Sequence, residues 1–317
     1  MNENQSSPTR QLINFFSRRS IRFSRFFAKC LGVLVNVFHL SKSSKYIRLN
    51  VEICLPDFTE EHKAQIAHAA VSNELQSYME FFSIWGSTNE QNIARIRKIT
   101  GEHHFHEAMA HNKGIILLAP HFGTWEVMNA WFSQYTEMTI MYKPIKQADA
   151  DNFVRAARSR ERAHLVPTDE SGVRQIFRAL RQGGTTVILP DHTPKHGIET
   201  IPYFGLPLSS SNLSSKLIQK TKARALLVFA IRNEDSEDFD MYIEPIDEKI
   251  YEGTPTDGTM VIHHAIEHLI RRYPEHAHWS YKRFKAHPDL RDIYKIPYDE
   301  AVAKVARIRA EHIDSVN

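Results

Sequence analysis

The sequence has only two cysteines among 317 residues, Cys30 and Cys54, both in its first fifth. Two thiols neither make the framework of a disulfide-rich domain nor supply a zinc ligand set, so we expect a reducing compartment. A glycine-rich phosphate loop is also missing, because the nearest stretch, "RQGGTT" at 181–186, lacks the preceding strand of a dinucleotide-binding fingerprint. Internal repeats and low-complexity linkers are absent too, which excludes repeat architectures.

A long hydrophobic run is lacking at the N-terminus. The segment "FFAKCLGVLVNVFHL" at 26–40 has 15 residues, fewer than the ~20 that cross a bilayer as a straight helix. Residues 1–50 hold nine Lys and Arg residues and one acid, a net charge of +8 against +3 for the whole chain. A basic flank joined to an apolar helix predicts a membrane anchor over 1–50 that dips into an anionic headgroup layer. A core helix is the alternative, and a signal peptide is disfavoured because no small-residue cleavage site follows.

The remaining residues, 51–317, alternate between short apolar runs and amphipathic stretches. Strands are predicted at 114–119, 138–142, 164–166, 185–189, 225–231 and 239–245, and helices at about 58–85, 125–134, 148–162, 172–182, 211–222, 257–273 and 299–313. A further helical stretch is predicted from Thr88 to about Asn112, with an interruption near Gly101. This order predicts an α/β fold: a single domain with a mixed, mostly parallel sheet flanked by helices, in which 225–231 and 239–245 form a hairpin.

The stretch "GIILLAPHFGTWEVMNAW" at 114–131 carries the clearest chemical signal. His121 comes just after the predicted strand, at the sheet edge where α/β proteins bind ligands. Gly123 permits a tight turn, and Thr124 is predicted to cap the helix that follows. Glu126 then lies in the first helical turn, where the helix dipole favours its negative charge. We expect one imidazole nitrogen of His121 to meet this carboxylate and the other to face the crevice.

A histidine and a carboxylate are two members of a catalytic triad, and the serine or cysteine nucleophile is missing. The pair is chemically sufficient if the substrate supplies the nucleophile, for example a hydroxyl that His121 deprotonates as it attacks an activated acyl carbon. The alternative is a loop histidine that only makes hydrogen bonds near a helix start.

The spacing His121-x4-Glu126 resembles the H-x4-[DE] motif of glycerolipid and lysophospholipid acyltransferases. The residues of this stretch, "HFGTWE", resemble the motif of the late acyltransferases of bacterial lipid A biosynthesis. Further blocks stand in the order of that family. They are "YKPIK" (142–146), "RAARSRER" (155–162), "GGTTVILPDHTPKHG" (183–197), "PYFGLPLSSS" (202–211) and "YPEHAHWSYKRFK" (273–285). The resemblance covers nearly the whole chain and implies a fold like that of glycerol-phosphate acyltransferases, with 51–317 as the catalytic domain.

The resemblance implies transfer of an acyl chain from acyl carrier protein to a hydroxyl on an acyl chain of a lipid A precursor, at the cytoplasmic face of the bacterial inner membrane. His121 is then the general base and Glu126 its orienting partner, and Gly123 supports their turn. Arg158 and Arg160 stabilise the oxyanion or bind sugar phosphates, with a solvated helix face as the alternative. Asp191 has a polar role near the site, or is a turn residue after a strand.

No metal, cofactor or nucleic acid is expected. His264 and His268 are spaced for a metal pair on a helix, but an exposed helix face is the preferred interpretation. Three other functions stay open: acyl transfer to another glycolipid or a lysophospholipid, thioester hydrolysis by water, and lipid binding without catalysis.

Overall fold

The computed structural model describes residues 7–38, 41–193 and 198–316. Contacts within the chain form two compact units, each assembled from three stretches of sequence. Unit 1 takes the described residues of Met1–Lys29, Leu75–Ile188 and Thr221–Pro245, and unit 2 takes those of Cys30–Glu74, Leu189–Lys220 and Ile246–Asn317.

The helices are α1 (Pro8–Ser17), α2 (Ile21–Phe38), α3 (Lys42–Cys54), α4 (Glu60–Gly86), α5 (Asn89–Ala94), α6 (Glu102–Ala110), α7 (Met128–Phe132), α8 (Ala148–Arg160), α9 (Glu170–Arg181), α10 (Leu213–Thr221), α11 (Pro255–Arg272) and α12 (Tyr298–Val316). The strands are β1 (Ile96–Thr100), β2 (Ile115–Leu118), β3 (Thr139–Met141), β4 (His164–Val166), β5 (Thr185–Ile188), β6 (Ile198–Tyr203), β7 (Leu206–Ser211), β8 (Arg224–Arg232) and β9 (Phe239–Pro245). Short 3-10 turns occupy Trp125–Val127, Glu248–Tyr251 and Pro274–His276.

The main sheet lies in unit 1 and has the strand order β1-β9-β8-β2-β5. Its neighbours run parallel except β8 and β9, which are antiparallel. The predicted α/β class, with a mixed and mostly parallel sheet and a hairpin at its antiparallel pair, is therefore confirmed. β2 lies between β8 and β5, so the residues that follow Leu118 leave the sheet between two neighbouring strands.

The core of unit 1 follows the alternation expected of a sheet face. Alternate residues of β2, β8 and β9 are buried together with aromatic side chains of α6 and α7; the cluster includes Ile115, Leu117, Val228, Met241, Phe105, Trp131 and Phe132. This packing holds the carboxyl end of β2 in place beneath the residues that follow it.

The prediction of helix from Thr88 to Asn112 is wrong over its middle, where β1 pairs with β9. Gly101 separates β1 from α6 with a φ of 81°, which a residue with a side chain rarely adopts. The helix predicted at 125–134 is also shorter than expected, because it begins as a 3-10 turn and ends at Phe132.

The hairpin of β6 and β7 in unit 2 has no counterpart among the predicted elements. Pro202 and Pro207 are register partners in it, and a proline within an apolar run disfavours a strand prediction because it lacks the N–H of a ladder bond. Phe204 and Gly205, with φ of 50° and 69°, form the turn between the strands, as two-residue hairpin loops require.

The described part of the predicted anchor lies in α1, α2 and most of α3, and His39 and Leu40 of segment 26–40 lie outside the described residues. In α2, Ile21, Ser24, Arg25 and Ala28 are buried at helical spacing, whereas Phe26 and Phe27 are exposed. None of the helices in the described part of the chain has both the length and the apolar character to span a membrane.

Candidate active site

The site is built on the loop that follows β2 in unit 1. The N–H of Ala119 donates to the carbonyl of Ile188 at 2.9 Å and so extends the pairing of β2 with β5. Pro120 ends this pairing, and His121 follows with a half-buried imidazole. The ring lies edge-on to the indole of Trp125, with 5.0 Å between ring centroids and 71° between planes. His121 is thus placed where sequence reasoning expected it, at the carboxyl end of β2.

Gly123 makes the turn between His121 and Glu126. Its φ is 54°, and a Cβ built on it would lie 2.1 Å from the carbonyl oxygen of Ala230. The next N–H, of Thr124, donates to that same oxygen at 3.1 Å. Both the left-handed backbone and the close approach to β8 therefore require glycine here.

Thr124 does not cap the following helical turn, so that prediction is wrong. Its φ and ψ are −114° and 65°, and no side-chain capping bond is found among its described contacts. Instead its hydroxyl donates to Oε2 of the buried Glu80 at 2.5 Å. In a cap the hydroxyl oxygen accepts from a backbone N–H, whereas here the hydroxyl points to a buried carboxylate and makes a charge-assisted bond.

Glu126 is buried, with its carboxylate surrounded by three donors. Nε1 of Trp85 donates to Oε2 at 2.8 Å, and Nε1 of Trp125 donates to Oε1 at 3.2 Å. Nη2 of Arg158 donates to Oε1 at 2.7 Å. These donors come from α4, the turn itself and α8, so the carboxylate is fixed from three elements.

Arg158 therefore joins the site through Glu126. Its Nη1 also donates to Oε2 of Glu161 at 2.9 Å, and the guanidinium lies between two buried carboxylates. Although burial disfavours its charge, Glu126 and Glu161 together raise the pKa of Arg158. Burial raises the pKa of Glu161 to about 7, and Arg158 only partly opposes this effect.

Arg160, the second predicted arginine, lies on the exposed side of α8 near its end. Its guanidinium donates to the backbone carbonyl of Trp85. The structure thus separates the two arginines: Arg158 points into the protein toward Glu126, and Arg160 remains at the surface.

Asp191 belongs to unit 2, in the turn after β5. It is buried, and its Oδ2 lies 3.4 Å from Nη1 and Nη2 of Arg283, which also donates to its backbone carbonyl at 3.0 Å. The third and last sequence blocks of the resemblance therefore meet in this pair. Part of the third block, residues 194–197, lies outside the described residues.

Buried polar groups surround Arg283. Oγ of Ser210 lies 2.7 Å from Nε2 of His263. Burial, together with the charge of Arg283, lowers the pKa of His263 to about 3. His263 is therefore neutral over the physiological range, and Asp191 is the acidic partner of Arg283 in this cluster.

Sequence reasoning missed Trp85, Glu80 and Glu161 as parts of the site. Glu80 had a signal, since it stands between Met79 and Phe81 in an apolar run of α4. A charge at such a position is costly unless it is paired. Glu161 also had a signal, since it follows Arg158 at the i,i+3 spacing of side-chain pairs on a helix. Trp85 had none, because its partner Glu126 is 41 positions away in sequence.

The arrangement suits proton transfer at the edge of the sheet. It combines a half-buried imidazole with a buried carboxylate whose position is fixed by indole and guanidinium donors. In the stretches that the structure describes, no three His, Cys, Asp or Glu side chains are grouped to hold a metal ion.

The family model described as bacterial lipid A biosynthesis acyltransferase matches residues 16–286. The lipid A biosynthesis lauroyltransferase of Escherichia coli (strain K12) is 22% identical over 264 residues, covering 82% of this chain and 84% of that protein. The lipid A biosynthesis acyltransferase of Haemophilus influenzae (strain ATCC 51907 / DSM 11121 / KW20 / Rd) is 22% identical over 271 residues, covering 83% and 82%.

Proposed function

Because the chain belongs to the family of bacterial lipid A biosynthesis acyltransferases, we propose that it transfers a fatty acyl chain from acyl carrier protein to a hydroxyl on an acyl chain of a lipid A precursor. The chain is an acyltransferase of lipid A biosynthesis; the donor, the acceptor hydroxyl and the residue roles are the proposal. The observation that supports it best is the half-buried His121 at the end of β2, five positions before the buried Glu126.

The reaction needs no enzyme nucleophile. His121 accepts the proton of the acceptor hydroxyl as its oxygen attacks the carbonyl carbon of the thioester. The tetrahedral intermediate collapses by breaking the C–S bond, and the released thiolate of the carrier accepts the proton from the imidazolium. One ester forms and one thiol is released, so no covalent acyl-enzyme is formed.

Glu126 orients His121 and stabilises the imidazolium that forms during transfer. The bond from Arg158 to Glu126 and the two indole N–H donors keep the carboxylate from turning away. Preorganised partners of this kind remove the need to reorganise during the reaction. Arg158 therefore acts on the reaction through Glu126.

Arg160 is the candidate for a direct contact with the substrate, because it is exposed and a guanidinium matches phosphate geometry. It either donates to the oxyanion of the intermediate or binds a phosphate of the lipid A precursor. Asp191 keeps the polar role that the resemblance implies, with no assigned step, and is paired with Arg283 within unit 2.

We propose that α1 and α2 attach the enzyme to the cytoplasmic face of the inner membrane. We call these two helices the arm. Four of its large apolar side chains are exposed and form what we call the apolar face of the arm: Leu12, Phe15, Phe26 and Phe27. Arg18 and Arg19 are exposed between the two helices, and the guanidinium of Arg19 lies 4.5 Å from the ring centroid of Phe15. Exposed aromatic residues beside arginines match the boundary between acyl chains and anionic headgroups.

The test uses the full-length protein in detergent micelles, an acyl carrier protein loaded with a labelled acyl chain, and an underacylated lipid A precursor. We expect a product heavier by one acyl group and an equimolar amount of free carrier thiol. His121→Ala abolishes both signals, whereas His164→Ala, an exposed histidine of β4, leaves them unchanged. Near-normal turnover of His121→Ala overturns the mechanism.

Two further arms test the donor and the acceptor. Acyl-coenzyme A in place of the loaded carrier should give much slower transfer, and equal rates would contradict the carrier as donor. Incubation without acceptor should leave the thioester intact. Release of free fatty acid in that arm at the rate of transfer would identify a thioesterase.

A further inference from the structure

A buried ion cluster lies directly beneath the turn that joins His121 to Glu126. Glu80 of α4 is fully buried, and Nε of Arg25 donates to its Oε1 at 2.6 Å. Arg232, at the end of β8, donates from Nε to Oε1 and from Nη2 to Oε2, both at 3.1 Å. The hydroxyl of Thr124 is the remaining donor described on this carboxylate, at 2.5 Å. All four residues belong to unit 1.

The cluster contains two arginines for one carboxylate, and all three side chains are almost completely buried. Arg25 also donates to the backbone carbonyls of Asn233 and Ser236, which lie between β8 and β9. Although burial opposes ionisation of Glu80, Arg232 and then Arg25 lower its pKa. A buried ion cluster of this kind contributes little stability compared with apolar packing, so stability alone does not explain why it is there.

We propose that Glu80, clamped by Arg25 and Arg232, is a positioning residue for the His121–Glu126 turn, and that the N-terminal arm is thereby part of the catalytic machinery as well as of the membrane attachment. The proposal rests on the function proposed above, in which His121 and Glu126 carry the reaction.

The geometry of Thr124 explains why the turn needs this support. Gly123 has no side chain to limit its backbone, so the position of the turn is set by its neighbours. The N–H of Thr124 donates to the carbonyl of Ala230. Its hydroxyl donates to Glu80 and accepts a longer bond from Nη2 of Arg232 at 3.4 Å. Loss of the bond to Glu80 frees the chain midway between the base and its carboxylate, and misplacement by about 1 Å can cost on the order of 100-fold in rate.

The position of Arg25 explains why the arm is involved. Arg25 lies on the buried side of α2, directly before the exposed Phe26 and Phe27 of the apolar face. Any force on that face at a lipid surface acts on the helix that carries one of the two cations on Glu80. The same helix therefore contacts the lipid on one side and the support of the catalytic turn on the other.

The first experiment compares Thr124→Val with Thr124→Ser, because both variants keep Arg25 and Arg232, the two cations on Glu80. We expect Thr124→Val to lower kcat roughly 10- to 100-fold with unchanged KM for both substrates, and to lower the unfolding temperature modestly because Glu80 loses one buried donor. Thr124→Ser keeps the hydroxyl and should restore kcat to within about 3-fold of the wild type. Equal kcat in the wild type and Thr124→Val overturns the proposal, as does a loss that Thr124→Ser fails to rescue.

The second experiment tests the arm in detergent micelles, where vesicle binding does not limit the rate. Arg25→Lys keeps the positive charge, but its compact ammonium does not match the spread of Glu80 and the two carbonyls as the planar guanidinium does. We expect kcat to fall about 10-fold with the unfolding temperature nearly unchanged. Lys29→Met is the matched control, since Lys29 of the same helix pairs with Glu234 at the surface, 2.9 Å away. It should retain wild-type kcat. Equal kcat for both variants removes the arm from the catalytic machinery.

The two proposals fail separately. If His121→Ala is inactive and Thr124→Val is fully active, the mechanism stands and the positioning role is wrong. If His121→Ala is active, the mechanism is wrong whatever the behaviour of Thr124.

Discussion

The guanidinium of Arg158 donates to the carboxylate of Glu126 across 2.7 Å, with 12% and 6% of the two side chains exposed. The pair joins the arginine-rich sequence block to the H-x4-E motif. It also changes how the arginines of α8 are interpreted, because Arg158 faces a carboxylate of the enzyme, whereas Arg155 and Arg160 are exposed. The carboxylate of the H-x4-E motif thus has its own cationic partner.

Replacing Arg158 with lysine should lower kcat because an ammonium cannot bridge Glu126 and Glu161 as the planar guanidinium does. We expect a loss of roughly 10- to 100-fold with little change in KM. Arg158→Met leaves two carboxylates buried without a cation, and we expect it to destabilise the fold by about 3–5 kcal/mol. Arg174→Ala, a surface arginine of α9, is the control and should match the wild type in both measurements. An Arg158→Lys enzyme with wild-type kcat would assign Arg158 a purely structural role.

The sequence was informative where short-range patterns decide the structure. β4 and β9 have the predicted bounds, and His121, Gly123 and Glu126 lie in the predicted order at the end of β2. It was uninformative where a distant partner decides the outcome. Threonine is a common helix-capping residue, yet the hydroxyl of Thr124 donates to the buried Glu80, 44 positions earlier. β1 is a strand because of β9, which lies far along the chain.

Gly123→Ala should abolish activity and destabilise the protein. The added Cβ would lie 2.1 Å from the carbonyl oxygen of Ala230, which is backbone and cannot move without disturbing β8. We expect a loss of about 3 kcal/mol in the free energy of unfolding. Gly205→Ala provides the comparison, since its φ of 69° is also positive but its nearest atoms, in the flexible Arg309 side chain, lie at 3.5 Å. It should cost only the ~1–2 kcal/mol of a left-handed alanine, and equal losses would show that φ alone matters at Gly123.

Glu74 should make stability depend on pH. Burial raises its pKa to about 7, although the N–H of Ser280 donates to it. The folded protein holds this proton more tightly than the unfolded chain. The stability that protonated Glu74 contributes is therefore fully present below about pH 4.5 and is lost as pH rises through about 7. Between these limits the free energy of unfolding should fall by an amount on the order of 3 kcal/mol.

Glu74→Gln should remove that part of the pH dependence, measured as unfolding temperature from pH 5 to pH 8. Glu61→Gln, on the exposed side of the same helix, should give a curve parallel to the wild type. A Glu74→Gln curve that stays parallel to the wild type would mean that another group carries the dependence.

The apolar face of the arm should control binding to lipid vesicles. Phe15 and Phe26 are 45% and 67% exposed, and burying one phenylalanine contributes roughly 1.5–3 kcal/mol. We expect Phe15→Ser combined with Phe26→Ser to lower partitioning into anionic vesicles at least about 10-fold, without loss of activity in micelles. Met109→Ser, at an exposed apolar residue of α6, should bind vesicles like the wild type. Partitioning that is indifferent to the double substitution would remove α1 and α2 from the membrane contact.

Trp85 and Trp125 donate to different oxygens of Glu126, at 2.8 Å and 3.2 Å, so each can be removed separately. Trp85→Phe keeps the ring contacts with Phe81 but leaves Oε2 without its indole donor, and we expect kcat to fall about 10-fold. Trp125→Phe should cost less, because Arg158 still donates to the same Oε1 through a shorter, charge-assisted bond. The order of the two losses is the measurement that matters. A larger loss for Trp125→Phe would instead point to its edge-on contact with the imidazole of His121 as the feature that positions the base.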